Sequence, residues 1–142
     1  MKKYLLLTFC FISFWGCKKD EKRIAQFPDG VYVGTFQREL VWSNSDTAKI
    51  TITFSLGTWS GASNKVKYPA LCKGTYSIIS DTIVFENECA WTAEFDWSLI
   101  LTGKYALKTD GNTIQFSRDY RSATSDTYVD KYEMKRQDLN AL

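Results

Sequence analysis

The chain contains no histidine. That absence removes histidine-based triads, imidazole general bases and most zinc and copper sites. No Ser-x-x-Lys motif occurs, and no glycine-rich phosphate loop opens a helix. Excess charge is lacking too: 18 basic residues face 16 acidic ones, and the surplus of two sits in Lys2 and Lys3. A nucleic-acid surface needs a basic face, so nucleic acid is not an expected partner. No sequence pattern implies a cofactor. With 142 residues there is material for one hydrophobic core and not for two.

What is present begins at the N-terminus. Met1, Lys2 and Lys3 form a short positive segment, and an apolar run from Tyr4 to Trp15 ends in Gly16 and Cys17. A membrane-spanning helix needs about 20 apolar residues; this run is shorter and meets Lys18, Lys19, Asp20, Glu21, Lys22 and Arg23 at once. It therefore reads as a signal peptide over residues 1–16. The junction Phe14-Trp15-Gly16-Cys17 resembles the lipobox of bacterial lipoproteins, in which a small residue precedes the cysteine that is acylated and becomes the new N-terminus. The resemblance implies lipidation at Cys17 and membrane attachment through it. Lys18 after the cysteine, by the same resemblance, implies the outer membrane.

Residues 17–28 are charged and poor in apolar periodicity, as a tether between lipid and domain would be. From Asp29 to residue 137 the pattern has a period of two, rich in Thr, Val, Ile, Tyr, Phe and Trp, with turn residues at short intervals, and residues 138–142 form a tail. The fold class expected is all-β. Strands are expected over Asp29–Leu40, Ala48–Leu56, Lys73–Ile79, Thr82–Cys89, Asp96–Thr102, Gly103–Thr109, Asn112–Arg118 and Thr127–Arg136. Trp59 to Pro69 reads as a loop with at most a short edge strand, and a sharp bend is expected at Gly103.

A hairpin turning at Ser80-Asp81 makes a specific claim about register. It places Tyr76 opposite Phe85, Ile78 opposite Ile83 and Cys72 opposite Cys89, the last on a non-hydrogen-bonded pair whose Cα atoms lie about 4.5 Å apart. In an exported protein this register predicts a Cys72–Cys89 disulfide on the core side, worth about 3 kcal/mol; two separate buried thiols are the alternative. Cys10 leaves with the leader.

The hairpin Gly74-Thr-Tyr76 to Phe85 is echoed by Gly103-Lys-Tyr105 to Phe116, which suggests a meander. An antiparallel meander of about eight strands removes its edges by closing into a barrel, with a two-sheet sandwich as the alternative. With Gly30-Val-Tyr32 opening the first strand, the span from Asp29 to Arg136 resembles the lipocalin-like domains of bacterial lipoproteins, whose own opening motif carries Trp where Tyr32 stands.

Aromatic residues make up 15% of the chain. Trp59, Tyr76, Phe85, Trp97, Tyr105, Phe116 and Tyr132, if inward, would either line a pocket for a small apolar ligand or simply fill the barrel. Exposure of Trp59 and Trp91 on loops would instead point to a protein or glycan partner. Glu86, Glu88, Glu94 and Asp96 cluster in sequence, but a glycosidase pair must flank a cleft, and they read as a solvated outer face. The loop from Arg118 to Asp126 lacks calcium-loop spacing. Binding, and not catalysis, is the expected activity.

Overall fold

The computed structural model describes residues 26–43, 46–124 and 127–138. Cys17 and the leader lie outside them. Eight strands run in chain order: β1 Gly30–Leu40, β2 Thr47–Ser55, β3 Thr58–Ser63, β4 Lys73–Ile79, β5 Thr82–Asn87, β6 Gly103–Asp110, β7 Thr113–Asp119 and β8 Tyr128–Arg136. Each pairs antiparallel with its neighbour, and β8 returns to β1 to close the barrel. Closure pairs β1 with β8, so neither the first nor the last strand is a free sheet edge.

Two strand expectations are corrected. Asp96–Thr102 is not a strand: the Asp96 carboxylate accepts from the Ser98 amide at 2.9 Å and caps a 3-10 turn at Trp97–Leu99. A side chain that captures its own downstream N–H offers the backbone an alternative to a ladder. The missing strand is supplied by β3, where the sequence allowed only a short edge strand; it pairs with β2 on one side and β4 on the other. Its inward row is Trp59, Gly61 and Ser63, with a single large apolar side chain. At Gly103 the chain bends as expected, with φ at +88°.

The β4–β5 register is the expected one, Tyr76 opposite Phe85 and Ile78 opposite Ile83, with Ser80 in the left-handed region. Cys72 and Cys89 form a disulfide. Their Cα atoms are 6.4 Å apart, wider than a paired rung, because β4 starts at Lys73 and β5 ends at Asn87. The Glu88 amide bonding to the Lys73 carbonyl at 3.0 Å is the last rung before the strands part. Both cysteines are half-buried at the barrel mouth and not in the core.

The interior is filled by rings. A column of contacts runs Phe27, Phe54, Phe85, Phe116, Tyr132, Phe36, Tyr68, with successive centroids between 4.5 and 6.3 Å apart, the spacing of aromatic pairs in contact. Phe27, which the sequence assigns to the tether, covers one end; Tyr68 packs at the other. Trp59 lies over Gly74, where any Cβ would meet the Glu86 carbonyl oxygen at 1.8 Å. Glycine is required there for β4 to approach β5, and the same carbonyl accepts the Trp59 indole N–H at 3.2 Å.

Candidate functional site

The two ends of the barrel differ. At the end where the N-terminal segment enters, the connections are the tight turns Leu56-Gly57, Ser80-Asp81 and Gly111-Asn112. At the opposite end lie the segments over residues 41–43, 64–72, 88–102 and 120–124. Two of these are fastened together. The Cys72–Cys89 bridge joins them, and Ala70 and Ile100 form a parallel bridge in which the Ala70 amide donates to Leu99 at 3.0 Å and the Leu101 amide donates to Ala70 at 3.3 Å.

A third fastening is Arg38. On β1 it shares the inward row with Tyr32, Gly34 and Phe36, and on β8 Asp130 shares the inward row with Tyr132 and Met134; the two are register partners. Arg38 Nε and Nη2 donate to the two Asp130 carboxylate oxygens at 2.7 and 2.8 Å. Nη1 donates to Asp96 Oδ2 and to Ser98 Oγ, each at 2.9 Å, and Nη2 also donates to the Ser98 carbonyl at 3.0 Å. All five guanidinium N–H groups are thus engaged, and the ring of Tyr128 lies 3.7 Å from the guanidinium carbon. Burial lifts the Asp130 carboxyl above the ordinary aspartate value against the pull of Arg38. Burial lowers the Arg38 value, but the bond and charge of Asp130 outweigh it and hold the guanidinium cationic. The Asp96 carboxyl sits below its ordinary value, chiefly through its hydrogen bond from Ser98.

The consequence of this network is the placement of Trp97. Its turn is pinned on both sides, through Asp96 and Ser98, to a buried pair on β1 and β8, yet the indole is 56% exposed. Trp97 is therefore a correction to the inward set. Its apolar parity with Leu99 and Leu101 reads as a strand face, but the 3-10 turn rotates it outward. Trp42 is 86% exposed at the same end, which also carries Leu40, Val41 and Val66. The other candidates divide differently. Trp59, Phe85, Tyr105, Phe116 and Tyr132 are buried in mutual contact, and Tyr76 is half-buried against Phe27 and Phe54. Trp91 is half-buried, its ring 5.5 Å from Phe95, on a cleft of about 230 Å³ that Lys67, Pro69 and Leu71 also line. Glu86, Glu88 and Glu94 are exposed. Trp59 and Trp91 form no exposed cluster, since Trp59 is buried and Trp91 half-buried; the exposed indoles at this end are Trp42 and Trp97.

Sequence reasoning missed Arg38, Asp130 and Trp42. The signal for the first two was available, since each is a charged residue on the apolar parity of its strand. Trp42 sits past the end of β1 with no periodicity to mark it. Compared with family models, curated proteins and solved structures, the chain matches none of them.

Proposed function

We propose that this protein is a lipoprotein of the bacterial outer membrane, anchored through acylated Cys17, whose barrel is a filled scaffold and whose long-loop end is a recognition surface. The observation that carries the second part is Trp97, an exposed indole on a turn that Arg38 fixes to the barrel wall. A large, rigid, exposed aromatic side chain loses little conformational freedom on contact, which is why tryptophan dominates binding hot spots. The tether enters at the opposite end, beside Phe27 and Pro28, so the anchor leaves the Trp97 surface free to meet a protein or glycan partner. Activity by binding, without catalysis, agrees with the absence of histidine and with the outward placement of Glu86, Glu88 and Glu94.

The barrel fold itself supports the other reading, a small apolar ligand held inside. Against it stands the ring column, whose members a ligand would have to displace. Lipid recovered by organic extraction of the purified protein, and absent from a barrel variant such as Phe116→Trp, would restore the interior as the site.

The test of the recognition surface is photo-crosslinking in intact cells with a photoreactive residue at position 97 or, on the outer wall, at position 77. Adducts at 97 and none at 77 are expected; equal labelling at both would refute the reading. Cys17→Ser tests the anchor separately: the protein should leave the membrane fraction or remain as unprocessed precursor, because the acyl chains supply the membrane affinity.

A further inference from the structure

The inward row that holds Arg38 and Asp130 has a third charged member. Arg118 on β7 is the register partner of Asp130 on β8, so one carboxylate stands between two arginines. Both Asp130 oxygens are taken by Arg38. Arg118 turns the other way: Nη1 donates to the Thr102 carbonyl at 3.1 Å, and its guanidinium carbon lies 4.5 Å from the centroid of Tyr120 and 6.0 Å from that of Tyr105. Among the described residues no carboxylate forms an ion pair with it. It is half-buried.

The seat for this side chain is built into the backbone. Gly103 adopts φ +88°, and a Cβ there would come within 2.9 Å of Arg118 Nη1. The positive φ of the bend into β6 calls for glycine at that position, and the mobile end of Arg118 lies beside it. From Arg118 a line of contacts continues through the tilted pair Tyr120 and Tyr128, whose centroids are 4.5 Å apart, to Arg38 on the far side. Two guanidinium groups thus bracket two rings. One has every donor engaged; the other gives Nη1 to the Thr102 carbonyl, lies against Tyr120 and hydrogen-bonds Tyr105, with no carboxylate among its partners in the described residues.

We propose that Arg118 is an oxyanion-binding residue of the long-loop end, taking a carboxylate or phosphate group of the ligand. This rests on the recognition surface proposed above and adds the chemistry of one contact. A planar guanidinium matches either anion with two parallel N–H bonds, which a lysine ammonium cannot reproduce. Partial desolvation between two rings strengthens the attraction relative to a fully hydrated surface arginine.

The experiment follows the Arg118 Nε–H resonance in the purified full chain during titration with acetate and with inorganic phosphate, with chloride at matched ionic strength as the control. A saturable shift with acetate or phosphate, and none with chloride, is expected. Acetate alone identifies a carboxylate ligand and phosphate alone a phosphate ligand. Because Arg118→Gln removes the arginine Nε–H resonance, its binding is read from the backbone amides of Gly103 and Tyr120, and it should weaken the apparent affinity about tenfold or more. Gly103→Ala keeps the charge but disturbs the seat and should weaken binding similarly, whereas Lys108→Gln on the outer wall should not. Shifts that rise linearly with every salt, or saturation that survives Arg118→Gln, would overturn the proposal. Adducts at position 97 alongside a flat Arg118 titration would remove this inference and leave the recognition surface standing.

Discussion

At the tether end of the barrel three connections reverse within two residues each; at the other, segments as long as 88–102 cross over the mouth. The tight end is held by backbone turns with short-range side-chain bonds, among them the Leu56 amide to Asp29 at 2.7 Å and the Tyr32 hydroxyl to the Pro28 carbonyl at 2.8 Å. The long-loop end is held by side chains: a disulfide, a five-donor arginine and its buried carboxylate. Apart from Val33 on the barrel wall, exposed large apolar residues among the described ones follow the same division, with Leu56 and Ile79 at the first and Leu40, Val41, Trp42, Val66 and Trp97 at the second. Loops too long to be ordered by turn geometry need fixing by specific contacts, and fixing them is what a recognition surface requires.

If that contrast is right, removing the central carboxylate at the long-loop end should have the largest effect. Asp130→Ala leaves Arg38 buried without its main partner, and breaking such a pair costs about 3–5 kcal/mol; denaturant unfolding should show it. Reduction of Cys72–Cys89, or Cys89→Ala, should cost about 3 kcal/mol and should raise hydrogen exchange in the two joined loops more than at the tight turns. Equal protection loss at both ends would contradict the division. At the tether end the effect should be smaller and opposite in sign. Leu56 sits at φ 47° and is 91% exposed, a strained placement for leucine before Gly57, so Leu56→Asn should stabilise by about 1 kcal/mol. The smallest effect belongs to pH. Asp96 has a depressed value in the folded protein, so its contribution is present above the ordinary 3.8 and fades as pH falls below it. The carboxylate is about half exposed, so the global effect is small. Its signature should be local: acid should broaden or shift the Trp97 indole resonance before global unfolding, and Asp96→Asn should abolish that step.

Local pattern predicted the fold where neighbouring strands both alternate cleanly. Tyr76, Ile78, Ile83 and Phe85 around a two-residue turn determine a register, and the disulfide follows from it. Pattern failed where parity and backbone chemistry disagreed. Trp97, Leu99 and Leu101 alternate like a strand, but Asp96 holds the backbone in a turn; Trp59, Gly61 and Ser63 alternate with too little apolar weight to mark β3. The candidate site was the least legible part. Arg38 and Asp130 are each marked by their parity, but they lie 92 residues apart and meet only because β8 returns to β1, which no local window reveals.

The closing seam has a kinetic consequence. Every other pairing in the meander joins strands that follow each other, so the longest loop any of them must close is the 88–102 connection between β5 and β6. The β1–β8 ladder, from Tyr32 opposite Arg136 to Leu40 opposite Tyr128, must gather the two ends of the whole domain, and the entropy of that loop is lost before any of its bonds form. Barrel closure should then be late in folding. Substitutions along the seam should act mainly on the unfolding rate, and those in the β4–β5 hairpin on the folding rate. The buried Arg38–Asp130 pair spans that seam, so it is a latch on the closed barrel and opposes opening more than it hastens assembly.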